Sequence, residues 1–217
     1  MDKYALIISG GDVVSKEVVS KYAAKADYII GADKGAETAY KYNLNLDIVL
    51  GDFDSINPEI LEELNCEIIK HPVEKDKTDL ELSLDVSIEK SYKKIIILNA
   101  LGNRIDHTMG NLFLLEKYED VDIRIIDNFT EIFIMKNNKV VIEDRRDYIL
   151  SIIPINKKIR IEKLKGVKYP LDKKDVKRGS TLCISNIINQ RECLISISEG
   201  KAFIIITKNM EDINGSN

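Results

Sequence analysis

The chain has 217 residues, 44% of them hydrophobic and 31% charged. That is globular composition, and it excludes a disordered polymer. Lys and Arg total 32 against 36 Asp and Glu, a net charge of −4. This excludes a basic nucleic-acid footprint but leaves room for an anionic substrate bridged to carboxylates by a metal ion.

Residues 4–9 (YALIIS) predict a strand and residues 16–25 a helix. Residues 27–32 (DYIIGA) predict a second strand, and a helix follows over 35–42. Residues 47–50 (DIVL) read as a third strand. Asn57-Pro58 then offers an N-cap and an N1 proline for a helix over 58–64. A fourth strand falls at 67–70. A long helix is expected over 77–91, with Leu80, Leu84 and Ile88 on one stripe. Residues 94–99 (KIIILN) are the most apolar of these runs, as expected of a strand buried on both faces. A helix over 106–117 and a strand over 122–127 complete the series. Such alternation implies a parallel sheet with helices on both faces.

Beyond about residue 128 the helical periodicity disappears. Strands are predicted over 131–135, 139–142, 148–154, 159–163, 180–185, 193–198 and 201–207, the last two as a hairpin around Glu199-Gly200. Short strands at this spacing suggest a small antiparallel sandwich or barrel. The fold class is therefore α/β: an N-terminal parallel-sheet domain over 1–130, then a small all-β domain over 138–210. Residues 209–217 read as a frayed tail.

The three cysteines, Cys66, Cys183 and Cys193, form no CxxC pair, so a disulfide framework or Cys-type zinc site is not expected. A reducing, cytoplasmic compartment is the simplest fit. No run approaches the roughly 20 apolar residues of a membrane span, and the first residues lack a signal-peptide pattern.

Chemistry concentrates in four segments. In DIVLGDFDSINP an apolar strand runs into Gly51, Asp52, Phe53 and Asp54. Two residues apart on extended backbone share a face, which would aim both carboxylates from the carboxyl end of a parallel strand, where open α/β sheets bind ligands. Like charges there invite a hard cation such as Mg²⁺; an acidic turn before a helix is the plain alternative. In EKDKTDLE, Asp76 reads as a helix N-cap, with Asp79 and Glu81 favoured by the helix dipole. The same segment lets Asp79 supply a metal oxygen and Lys75 or Lys77 reach a phosphate. In NALGNRIDHTMGN, Gly102 allows a tight turn, and Arg104, His107 and Asn111 share one helix face. Arg suits a bidentate phosphate contact, while His107 is either a base or a capping residue. In GADKGA, Asp33 and Lys34 sit at the same sheet edge. No GxxxxGK[ST] loop, GxGxxG, GxSxG or kinase motif set is present. Carboxylates with a metal then point to phosphate chemistry.

Together these segments resemble the thiamine pyrophosphokinase family over nearly the whole chain. ADKGA is similar to the family's ADGGA, LDIVLGDFDS to its PD-x-hydrophobic-GDFDS, EKDKTD to DxxxTD, and GNRIDHTMGN to GGRxDHxxxN. GVKYPLDKKDVKRGSTLCISN resembles its GLKYPL…SN segment. Leu46, Asn103 and Ile187 depart from the common pattern, and the chain has no Trp. The resemblance implies a Rossmann-like α/β domain followed by a β-sandwich. It implies Mg²⁺-dependent conversion of ATP and thiamine to AMP and thiamine diphosphate. It also implies a homodimer with thiamine held at the subunit interface, without nucleic acid or membrane. By similarity Asp52, Asp54 and Asp79 would be catalytic and coordinate Mg²⁺. Asp33, Lys77, Thr78, Arg104, Asp106 and Asn111 would surround the nucleotide, and Tyr169, Ser185 and Asn186 would approach thiamine. A related pyrophosphokinase acting on another hydroxylated heterocycle, or a non-catalytic thiamine or nucleotide sensor, are the alternatives.

Overall fold

The computed structural model describes residues 3–54, 56–74 and 76–209. Ser55, Lys75 and the tail expected to fray beyond residue 209 lie outside the described residues. The chain divides into two compact units, Met1–Asn128 and Phe129–Asn217.

The first unit alternates strands and helices: β1 (Ala5–Ile8), α1 (Lys16–Ala23), β2 (Tyr28–Ala32), α2 (Gly35–Tyr42), β3 (Ile48–Gly51), α3 (Pro58–Glu63), β4 (Glu67–Lys70), α4 (Asp79–Glu89), β5 (Lys94–Leu98), α5 (Ile105–Lys117) and β6 (Asp122–Ile126). Its strands lie in the order β6-β5-β1-β2-β3-β4, every pair parallel. All four side chains of β1 are fully buried, as are most of β3 and β5, which is why these strands read as unbroken apolar runs. Helix α2 packs on β1 and β2, and α4 on β1, β2 and β3. Leu80 and Leu84 of α4 are buried together with Ser83 and Ser87, whose hydroxyls donate to the carbonyls of Asp79 and Ser83 at 2.7 and 2.8 Å. Asn57 caps α3 as expected, its Oδ1 accepting from Glu59 N at 3.1 Å. The cap of α4 differs from expectation. Thr78, not Asp76, is the N-cap, its Oγ1 accepting from Glu81 N at 3.3 Å, because the helix begins two residues later than the charge pattern suggested.

The second unit is all β: β7 (Thr130–Lys136), β8 (Lys139–Glu143), β9 (Ile149–Pro154), β10 (Lys158–Lys165), β11 (Leu171–Lys177), β12 (Asn186–Ile187), β13 (Glu192–Glu199) and β14 (Lys201–Thr207). Strands β12-β9-β14-β7 pair antiparallel, and so do β11-β10-β13-β8 in a separate sheet. One apolar cluster draws on both sheets, including Leu150, Ile152 and Ile204 from the first and Ile159, Ile161 and Ile195 from the second.

Three expectations fail in this unit, each for a physical reason. The hairpin at Glu199-Gly200 is an arch. β13 pairs with β10 and β8, whereas β14 pairs with β7 and β9. Gly200 turns the chain at φ +90°, and a Cβ there would lie 2.8 Å from the Lys158 carbonyl oxygen, so a single glycine passes the chain from one sheet to the other. Residues 180–185 form no strand. They turn, with Ile184 N bonded to Thr181 O and Ser185 at φ +58°. Strand β11 was not anticipated because five of its seven residues are charged and only Val176 is fully buried. Ion pairs with β10 accompany its pairing instead, Arg160 to Asp175 at 2.9 Å and Lys163 to Asp172.

Candidate active site

Strand β1 leads to β2 on one side, and its other neighbour β5 leads to β6 on the opposite side. The loops after β1 and β5 therefore diverge, and a crevice opens at this topological switch point. A cleft of about 420 Å³ lies there, lined by residues 9–12 after β1, 32–34 after β2, 78–80 at the start of α4, and 100–104, 107, 108 and 111 after β5.

Asp33 is one of its lining residues. The residue leaves β2 in left-handed backbone, φ +47°, with its amide on Leu50 O at 2.9 Å. Its carboxyl is half-buried, and Oδ1 is fully shielded with no hydrogen-bond partner. Burial raises its pKa, opposed in part by the Lys34 amide, and the charges of Asp79, Asp52 and Asp54 raise it further. Of the acidic residues singled out in the sequence, Asp33 and Asp79 line the cleft, whereas Asp52 and Asp54 do not, although their charges reach Asp33. Asp52 and Asp54 come together differently from the sequence argument. Phe53 between them is at φ +62° rather than extended, and Asp54 N donates to Asp52 Oδ1 at 3.1 Å. A tight turn, not strand alternation, pairs them. Among the described residues no three His, Cys, Asp or Glu side chains form a ready metal cage. The fit to Mg²⁺ rests on the donor chemistry: hard oxygens, mutually repelling, with one buried oxygen unsatisfied. Mg²⁺ characteristically takes one or two carboxylates and completes its shell with water and phosphate.

Of the residues expected around the nucleotide, Asp33, Thr78, Arg104 and Asn111 line the cleft. Arg104 is exposed and grips Asp106 by two bonds, Nε to Oδ1 at 3.2 Å and Nη2 to Oδ2 at 2.5 Å. The guanidinium holds the Asp106 carboxyl down to about 2. His107 is also exposed, 4.0 Å from Asp106. Asn111 donates to Ala100 O at 2.7 Å, bracing the loop before α5. Lys77 and Asp106 do not line the cleft; Lys77 Nζ is 2.6 Å from Asp85, which also accepts from Tyr118.

In the β unit Tyr169, Ser185 and Asn186 gather. Asn186 is buried and clamps the Tyr169 backbone, accepting from its N at 3.0 Å and donating to its O at 2.8 Å. The Tyr169 side chain remains exposed, with Lys168 Nζ 5.5 Å from its ring centre. Ser185 donates its amide to Ser151 Oγ at 3.0 Å.

Sequence reasoning missed residues 9–12 and Asn99. The available signal was Gly10-Gly11-Asp12 directly after an apolar strand. A Cβ on Gly11 would lie 2.4 Å from Asn99 O and 2.5 Å from Leu101 O, so only glycine passes there.

The fold and cleft define an α/β protein with a cleft lined in part by carboxylates at the carboxyl ends of a parallel sheet, followed by an all-β unit. Comparison with known proteins narrows this class. The family model described as "Thiamin pyrophosphokinase, catalytic domain" matches residues 19–126, and "Thiamin pyrophosphokinase, vitamin B1 binding domain" matches 137–202. A Bacillus subtilis protein named thiamine pyrophosphokinase is 33% identical over 205 residues, 92% of this chain and 96% of that one. The crystal structure of thiamine pyrophosphokinase from B. subtilis superposes with a TM-score of 0.83 at 30% identity, covering 96% of this chain and 100% of that one. That from Geobacillus thermodenitrificans gives 0.81 at 30% identity, covering 95% and 98%. The chain belongs to the thiamine pyrophosphokinase family.

Proposed function

We propose that this chain transfers the pyrophosphoryl group of ATP to the hydroxyl of thiamine, giving thiamine diphosphate and AMP. The observation that supports this reading is the switch-point cleft lined by Asp33 and Asp79, with one buried Asp33 oxygen lacking a hydrogen-bond partner and the charges of Asp52 and Asp54 acting on the same carboxyl. Such a cleft repels a bare polyphosphate, so the group it is built to receive is a cation–polyphosphate complex. Asp52, Asp54 and Asp79 would hold Mg²⁺, which neutralises charge on the diphosphate when bound. The domain over 1–130 binds the nucleotide as a Rossmann-like unit, and the sandwich-like domain over 138–210 binds thiamine. Arg104, from the N-cap of α5, contacts phosphate, and Asn111 holds the wall behind it. Tyr169 offers an exposed aromatic ring to thiamine, replacing the tryptophan this chain lacks.

The hydroxyl attacks the β-phosphorus in line. The O–P bond forms as the bond to the AMP oxygen breaks, and whichever of Asp54 and Asp79 is not engaged by the metal accepts the hydroxyl proton. The enzyme works in the cytoplasm as a homodimer with thiamine at the subunit interface. Among the described residues no helix is long and apolar enough to cross a membrane. Incubation with Mg²⁺, ATP and thiamine, followed by mass analysis, tests the reading. AMP with thiamine diphosphate supports it. Released pyrophosphate indicates nucleotidyl transfer, and binding without turnover indicates a sensor; either result overturns it.

A further inference from the structure

Asn99 is the first residue after β5, is 2% exposed, and sits at φ +56°. Its side chain bonds at both ends to residues just behind the cleft wall. Oδ1 accepts from Val14 N at 2.9 Å, and Nδ2 donates to Thr38 Oγ1 at 3.1 Å inside α2. Its backbone oxygen accepts from Gly11 N at 2.7 Å, while Ser9 N and Asp12 N bond to Leu98 O and Leu101 O at 3.0 and 2.8 Å. The loop after β1 is thereby laced to the segment after β5. Asn99 also ties that pair to the first half of α2, the helix that follows Asp33 and Lys34, while Tyr42 at the far end of α2 donates its hydroxyl to Val14 O at 3.1 Å. Asn99, Val14 and Thr38 do not line the cleft themselves, but each stands within four residues of a segment that does, so the side chain joins the supports of three of its four lining segments. A buried amide with both ends satisfied specifies a single arrangement, and removing either partner strands a buried polar group.

We propose that Asn99 is a positioning residue for the nucleotide subsite: it fixes the β1 loop against the α2 start, so that the wall is formed before ligand arrives. This rests on the nucleotide reading of the cleft. Asn99 touches no ligand itself. Its effect belongs to nucleotide affinity and not to thiamine recognition, because every segment it joins lies in the first unit.

The test is a double-mutant cycle of Asn99→Gly and Thr38→Val, with Thr38→Ser as the conservative control. Glycine tolerates the left-handed backbone, so Asn99→Gly removes the side chain without adding strain. Valine replaces the Thr38 hydroxyl by a methyl of similar shape. Two quantities are read: Kd for a non-hydrolysable ATP analogue with Mg²⁺ by calorimetry, and KM for ATP and for thiamine. Asn99→Gly should weaken the analogue about tenfold, a loss of about 1.4 kcal/mol, and raise the ATP KM similarly, with the thiamine KM within about twofold. Thr38→Val should weaken it severalfold, Thr38→Ser should restore it, and Thr38→Val should have no further effect in the Asn99→Gly background. Unchanged analogue binding, equal shifts in both KM values, or additive effects in the cycle would overturn the proposal. Should Asn99→Gly fail to fold, Thr38→Val against Thr38→Ser decides it alone. A wild-type protein that binds the analogue without turning over thiamine rejects the proposed activity but leaves this test standing. One that binds no nucleotide rejects both.

Discussion

Gly35 begins α2, directly after Asp33 and Lys34 at the cleft. A Cβ built on it would lie 1.7 Å from the Ile8 carbonyl oxygen and 2.5 Å from its carbon. These are backbone atoms of the central strand, so no side chain can rotate away. Ordinary contact begins near 3.4 Å, and Gly35→Ala must therefore push the start of α2 off β1 by roughly 1.5 Å. The helix has only eight residues and holds its place by burying Ala36, Thr38 and Ala39. Overpacking costs about 1–3 kcal/mol where side chains can yield, and here they cannot, so the upper end or beyond is expected. For a chain of this length each 1 kcal/mol moves Tm by about 2–4 °C, which gives a fall of roughly 6–12 °C. Gly110→Ala is the matched control. It lies within α5, and its Cβ would meet nothing within 4 Å, so the substitution should stabilise by about 0.5–1 kcal/mol. Differential scanning fluorimetry of both variants measures the contrast. A Gly35→Ala protein with wild-type Tm would refute the packing of α2 against β1.

Other substitutions separate chemistry from folding. Asp54→Ala removes an exposed carboxylate and should leave Tm unchanged while lowering turnover by at least ~10²-fold; steady-state kinetics with retained thermal unfolding checks both halves. Asn186→Ala removes a buried side chain and both of its bonds to the Tyr169 backbone and should cost about 1 kcal/mol, with thiamine KM rising more than ATP KM in paired assays. Asp85 is partly desolvated, but hydrogen bonds from Lys77 and Tyr118 and the nearby Lys117 outweigh this and hold its pKa below the usual carboxylate value. The native state then binds fewer protons than the unfolded chain, so its contribution to stability is present above about pH 4 and lost as pH falls. Asp85→Asn should accordingly lower Tm at pH 7 and matter progressively less in acid unfolding. Burial pushes the Cys193 thiol up to about 11 and raises those of Cys183 and Cys66 as well. Cys66 is the only one of the three not fully buried, so a thiol-titrating dye at pH 8 should count one thiol in the native protein and three after denaturation.

The periodic parts of the chain were readable because their physics is local. β5 buries both faces and shows it as KIIIL, and Asn57-Pro58 starts α3 by a cap made with its own neighbour. The carboxylates of GDFDS were equally visible as chemistry, but their geometry was not. Phe53 adopts a backbone that alternation rules do not anticipate for an aromatic residue. β11 hid for the opposite reason: exposed and charged, it draws its partners from β10, and a strand whose specification lies in ion pairs across a ladder has no apolar pattern to read. The arch at Gly200 required knowing which sheet each flanking strand joins. Asn99 looked like the polar end of a strand, since its partners Val14 and Thr38 stand 85 and 61 positions away.

The places where local rules fail are not scattered. Asp33, Phe53 and Asn99 each follow a strand of the parallel sheet, β2, β3 and β5, and all three are left-handed at φ +47°, +62° and +56°. Glycine would adopt this backbone without strain. For the aromatic Phe53 the conformation is costly and survives only where surrounding structure enforces it. Each of the three positions needs its side chain. Asp33 brings a carboxyl to the cleft, Asn99 joins the supports of its walls, and Phe53 packs on the apolar core between two aspartates, fixing the turn that pairs them. Strain at the ends of β2, β3 and β5 is thus the local cost of building this edge of the sheet. The fully buried apolar strands beneath supply the stability that offsets it.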